Sequence, residues 1–181
     1  RRVLFRSVRW LACAKSVADV TIVGRRGPVE RAYNEKEMKN VSGTLDLEAL
    51  QSEFERISPV MEAVGQSPED VFEELTRHRD APTERDTETR TVFRFLRSPK
   101  EIEIDSNGRA SGLRCGVTQL VKKGGRIGVE NTGEEELLPC DTVIFAVGDS
   151  IETSIGLPVE PQWGKTFAVC EDAWVKHPER P

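Results

Sequence analysis

The amino-acid sequence predicts an α/β fold with an antiparallel β-meander inserted into it. Three observations predict it: two short apolar runs that each end in glycine, at 18–24 and 143–148; two amphipathic helical stretches after the first run; and a hydrophobic period that shortens to two from Thr91 onward.

Residues 8–16 carry apolar side chains at helical spacing and read as the closing turns of a helix. Ala18-Asp19-Val20-Thr21-Ile22-Val23-Gly24 is β-branched, mostly apolar and stopped by glycine, which predicts a short buried strand. Within 47–57, Leu47, Leu50, Phe54 and Ile57 share one helical face. A second helix follows, with Ser67 as N-cap, Pro68 in the first helical position, and Val71, Phe72 and Leu75 facing inward. Residues 77–90 have almost no apolar content and predict an exposed loop, His78 included.

From Thr91, Phe93 and Phe95 alternate with arginines, and Ile102 and Ile104 with acids. Asn107-Gly108 predicts a hairpin turn, because both residues tolerate positive φ. Leu113, Cys115 and Val117 continue the alternation on the return strand, Gly124-Gly125 punctuates it, and 127–130 supplies a third strand. Together these read as an antiparallel meander. Val143-Ile144-Phe145-Ala146-Val147-Gly148 closes the pattern as another buried strand.

The bulk numbers exclude several classes. At 181 residues the chain can bury one full core. Charged residues make up 31% against 37% hydrophobic, and no apolar run nears the ~20 residues of a spanning helix, so a cytoplasmic protein without a membrane span is expected. The net charge of −5, with acids and bases interspersed and Trp10, Trp163 and Trp174 dispersed, argues against a nucleic-acid surface. Cys13, Cys115, Cys140 and Cys170 form no Cys-x-x-Cys pair and read as reduced thiols; with only His78 and His177 beside them, no metal site is expected. The acids Glu73-Glu74 and Glu134-Glu135-Glu136 read as solvated faces, and neither a P-loop nor a nucleophile elbow is present.

Both ends read as cut. Arg1-Arg2-Val3-Leu4-Phe5-Arg6-Ser7 matches an in-frame translation of a common sequencing-adapter oligonucleotide and is set aside from the fold. His177-Pro178-Glu179-Arg180-Pro181 stops on a turn-like pair of prolines.

The stretch with the clearest chemistry is Val23-Gly24-Arg25-Arg26-Gly27-Pro28. At the end of the second strand of a Rossmann sheet, an acid bonds the ribose 2′-hydroxyl of NAD, whereas arginine accommodates the 2′-phosphate of NADP. Arginine suits the role because its planar fork gives parallel hydrogen bonds to phosphate oxygens. At ~1.5–3 kcal/mol for each charge-assisted bond, two of them favour NADPH over NADH by roughly 10² or more. The same tetrapeptide is also a good solvated turn. On these residues alone the solvated turn stays open; together with the resemblance below, the expected fold is a Rossmann-like NADP-binding domain with a β-meander insertion, truncated at both ends.

Val20 to Glu37 resembles the adrenodoxin reductase family of flavoprotein ferredoxin–NADP reductases, which shows a strand, Val-Gly-Arg-Arg-Gly-Pro and a helix with a lysine-glutamate pair. The resemblance continues through Phe95-Leu96-Arg97-Ser98-Pro99, Thr132-Gly133-Glu134, Leu138-Pro139-Cys140-Asp141, and Ala146 with Gly148. It implies that Arg25, Arg26 and Glu37 contact the adenosine 2′-phosphate end of NADPH, with Gly24 and Gly27 permitting close approach. The departures are Glu30, Arg31, Ala32, Tyr33 and Asn34, where the family usually has glutamine, alanine-phenylalanine and threonine. Both Gly-x-Gly-x-x-Gly fingerprints are absent.

With 1–7 set aside as adapter artefact, the resemblance implies 8–148 as a partial NADP-binding domain and 149–181 as a return segment toward an FAD domain. The expected function is a fragment, inactive and poorly folded alone, of an enzyme passing hydride from NADPH to FAD and electrons to a ferredoxin-like iron–sulfur protein. No side chain of this piece is expected to act as a catalytic acid or base. The alternatives are a reductase like the glutamate synthase small subunit and a non-catalytic NADP-binding module.

Overall fold

A computed structural model describes residues 17–30, 35–79 and 88–146 of the protein. β1 (Asp19–Val23) and β2 (Arg90–Arg94) pair in parallel, in register from Asp19–Arg90 to Val23–Arg94. Parallel neighbours need a crossover. Here it contains α1 (Glu35–Val41), a single 3-10 turn (Ser42–Thr44), α2 (Leu47–Glu62) and α3 (Pro68–Thr76).

The helices start where their capping residues dictate. The Asp46 carboxylate accepts the Ala49 N–H at 3.0 Å and opens α2. The Ser67 hydroxyl accepts the Asp70 N–H at 3.3 Å, with Pro68 first in α3, as the sequence predicts. α2 buries Leu50, Phe54, Ile57 and Met61. It runs past the predicted end at Ile57 because the stripe continues to Met61, and Pro59 sits on the exposed side. This face meets Ile22, Phe93, Phe95 and Leu96, and Phe54 lies edge-on to Phe72 and Phe95 at centroid distances of 5.2 and 6.4 Å.

The second sheet is antiparallel, in the order β3 (Arg97–Ile104), β4 (Ala110–Lys123), β5 (Arg126–Pro139). β2 passes into β3 at Phe95-Leu96, where Leu96 takes φ 56°, a left-handed conformation costly for a branched side chain. Its buried side chain and the hydrogen bonds at both its N–H and its carbonyl hold it there.

Several expectations are corrected. The 18–24 strand forms, but only Ile22 is buried and Asp19 and Thr21 are exposed; among the described residues β1 has one neighbour, so one face stays open. The run at Phe93 belongs to the parallel pair, and the meander begins only after the Leu96 corner. At the β3–β4 hairpin only Gly108 has positive φ (76°), because the loop spans Asp105 to Arg109, with the Asp105 carboxylate accepting the N–H groups of Asn107 and Arg109. The two-residue turn with both φ positive is Gly124-Gly125, at 55° and 80°. The third strand extends well beyond 127–130, to Pro139.

Of the loop expected over 77–90, residues 80–87 lie outside the described residues, while Thr89 is buried and Arg90 already pairs in β2. His78 is half-buried rather than free, with Nε2 2.8 Å from Glu35 Oε1. The glutamates of β5 are not simply solvated either: Glu136 pairs with the buried Arg97 and Glu135 with Lys100. Residues 143–146 form no strand, and Ile144 and Phe145 are exposed; a strand needs a neighbour's ladder, and no described strand pairs with them. Cys115 is buried and Cys140 half-buried, both free. The readings on 1–16, on Cys170, His177, Trp163 and Trp174, and on 147–181 lie outside the described residues. Among the described residues no helix is long and apolar enough to cross a membrane.

Candidate functional site

At the end of β1 the chain bends through Gly24-Arg25-Arg26-Gly27-Pro28, and the backbone of this turn is bound inward. Gly24 N–H donates to the Arg94 carbonyl at 2.8 Å. The next three carbonyls all accept: Gly24 O from Arg97 N–H at 2.9 Å, Arg25 O from the Thr118 hydroxyl at 2.8 Å, and Arg26 O from Leu96 N–H at 3.3 Å. Arg25 and Arg26 are exposed, while Gly27 and Pro28 are buried.

Arg90, Arg94, Arg97 and Arg114 each hold a carboxylate, whereas among the described residues no ion pair involves Arg25 or Arg26. The acid nearest in sequence, Glu30, is turned to Gln66, whose Nε2 donates to Glu30 Oε1 at 2.5 Å. Two adjacent unpaired cations at a strand end can bind an anion with several oxygens, and phosphate matches the guanidinium fork.

The remaining predicted residues divide. Glu37 lies on α1, and its side chain is outside what the structure describes. At Gly24 a Cβ would meet only ordinary contacts, 3.6 Å from Arg26 O and 3.7 Å from Phe95 Cδ1, so the fold itself does not demand glycine there. At Gly27 a Cβ would press on Glu30 Oε2 at 2.9 Å and Leu120 Cδ1 at 3.3 Å, an internal packing reason for glycine.

Two supporting residues escape the sequence reading. Thr118 sits mid-strand between Val117 and Gln119 and gives no local signal; only the fold brings it to Arg25. Glu53 is fully buried on α2, accepting from Phe95 N–H at 2.6 Å, from Arg94 Nη1 at 3.0 Å and from Arg56 Nε at 3.0 Å. A signal for it exists: it falls between Leu50 and Ile57 on the apolar stripe, where an isolated carboxylate is costly and so announces partners.

No family model matches the chain. Over 154 residues it is 32% identical to the NADPH-ferredoxin reductase FprA of Mycobacterium tuberculosis, covering 83% of this chain and 33% of that protein. It is 34% identical over 158 residues to the mitochondrial NADPH:adrenodoxin oxidoreductase of Salvelinus fontinalis, covering 81% of this chain and 30% of the relative. The Arabidopsis thaliana counterpart is 32% identical over 161 residues, covering 82% and 33%. The structure of M. tuberculosis FprA in complex with NADPH superposes with a TM-score of 0.51 at 30% identity, over 81% of this chain and 32% of that one. The chain thus spans about a third of the length of the relatives it matches.

Proposed function

We propose, from its homology to the NADPH-ferredoxin and NADPH:adrenodoxin reductases, that this chain is the NADP-binding third of an FAD-dependent reductase, and that Arg25 and Arg26 hold the adenosine 2′-phosphate of NADPH. The observation that carries the site is the turn after β1, whose Gly24, Arg25 and Arg26 carbonyls are bound inward while its two arginines are exposed and, among the described residues, without ion-pair partners. Parallel β1 and β2 joined by helices agree with a Rossmann-like nucleotide layout.

In this reading Arg25 and Arg26 neutralise the phosphate, Glu37 on α1 orients one guanidinium or bonds the ribose, and Gly24 leaves room for the nucleotide. When bound, NADPH would supply a hydride for the FAD of the whole enzyme and, through it, electrons for a ferredoxin-like iron–sulfur protein; the described residues would supply binding and orientation. The assignment of 8–148 to the NADP domain, of 149–181 to a return toward the FAD domain, and of 1–7 to an adapter belongs to the same proposal, as does a cytoplasmic location.

The test is to express the protein completed from its flanking coding sequence and compare its reduction by NADPH and by NADH, with and without Arg25→Ala and Arg26→Ala. A flavin-loaded protein whose preference for NADPH falls in both variants supports the reading. Indifference of the wild type to the two nucleotides returns Arg25-Arg26 to a solvated turn.

A further inference from the structure

We propose that Thr118 is a positioning residue for the 2′-phosphate site: its hydroxyl fixes the Arg25 carbonyl, and with it the direction in which the two guanidiniums leave the turn. The inference rests on the assignment of Arg25 and Arg26 to that site.

Thr118 belongs to β4, in the antiparallel sheet, yet it is joined to the end of the parallel pair. Its side chain is buried (4% exposed), and its hydroxyl makes the one side-chain hydrogen bond that the Gly24–Arg26 backbone receives among the described residues. Its own N–H donates to the Leu96 carbonyl at 3.0 Å, and the Leu96 N–H donates to Arg26 O. Arg25 and Arg26 are therefore closed into one circuit through Thr118 and the left-handed corner at Leu96.

The strand is shaped to deliver this residue. The β3–β4 ladder ends at Arg97–Val117, so Thr118 is the first residue of β4 free to bond elsewhere on that side. Its pairing with β5 is irregular at the same place, stepping from Gly116–Glu135 to Thr118–Asn131. Bulges of this kind re-aim a side chain without ending the strand.

Valine matches threonine in shape and β preference but lacks the donor, so Thr118→Val removes one hydrogen bond and leaves Arg25 O to seek solvent. Serine keeps the donor. The completed protein is titrated with adenosine 2′,5′-bisphosphate and with adenosine 5′-monophosphate, and KM and kcat are measured with NADPH. Thr118→Val is expected to weaken the bisphosphate about tenfold, the equivalent of one net hydrogen bond, and to leave the monophosphate unchanged. KM for NADPH rises to match with kcat held, and Thr118→Ser stays within about twofold of wild type.

If Thr118→Val does not fold, Thr118→Ala is read by the same ratio. An unchanged ratio in a folded variant, or equal weakening of both ligands, overturns the inference. Arg25→Ala and Arg26→Ala are titrated in parallel. If they lower the ratio and Thr118→Val does not, the positioning role alone fails; if they leave it unchanged, the site assignment fails and the role of Thr118 falls with it.

Discussion

The fully buried Glu53 carboxylate on α2 accepts the backbone N–H of Phe95 at 2.6 Å, just before the left-handed corner at Leu96. The same carboxylate holds Arg94 and Arg56, and Arg56 Nη2 reaches the Phe95 carbonyl at 2.8 Å. One side chain thus secures the end of the strand against which the Gly24 turn is hydrogen-bonded.

Glu53→Ala is expected to destabilise by about 3 kcal/mol, because it leaves the buried Phe95 N–H without its acceptor and two half-exposed guanidiniums without their carboxylate. Glu53→Gln, which still accepts from Phe95, should lose about 1–3 kcal/mol. Urea unfolding midpoints check both; an alanine variant within 1 kcal/mol of wild type would show the network to be dispensable.

Removal of either Arg25 or Arg26 is expected to lower the preference for NADPH over NADH by about tenfold, and removal of both by about a hundredfold. Steady-state kcat/KM with each nucleotide measures this. NADH turnover should be unchanged, since the arginines touch nothing that NADH possesses in this reading.

Gly27→Ala places a methyl group against Glu30 and Leu120, both flexible side-chain ends. The expected loss is about 1–2 kcal/mol. Combining it with Leu120→Ala should be milder than the sum of the single changes by about 0.5–1 kcal/mol, since the second change removes one of the two obstacles; thermal denaturation of the double-mutant cycle reads the coupling.

The Asp105 carboxyl is held below the ordinary aspartate range, first by the Arg109 N–H and then by the Asn107 N–H. A depressed folded-state pKa means that its contribution to hairpin stability is complete above the ordinary aspartate value and is lost as pH falls through the lowered one. Carboxyl NMR titration should place Asp105 below an unstructured aspartate. Coincidence with the unstructured value would mean that the turn does not hold the charge.

The helices and the meander are legible because their signals are local. Ser67-Pro68 caps its own helix, and the stripe of Leu50, Phe54 and Ile57 must be covered wherever the chain goes. The Phe95-Leu96 corner is not legible, since leucine carries no preference for positive φ and is held by bonds from distant segments. Arg25 and Arg26 stand out as a motif, whereas nothing local shows that Glu30, the acid nearest to them in sequence, is held by Gln66, a contact across 36 residues. Period-two alternation marks strands but not their sheet, so Phe93 reads as part of the meander until its partner is known to be β1.

The bond from Thr118 to Arg25 spans 93 positions of the chain. On the proposed reading, coenzyme preference is therefore not portable as a short peptide. A chimera receiving only Gly24 to Pro28 imports two charges without the strand that aims them. One that also receives the equivalent of Leu96 and Thr118 imports the scaffold as well, and the second recipient is expected to shift its choice of nucleotide further than the first.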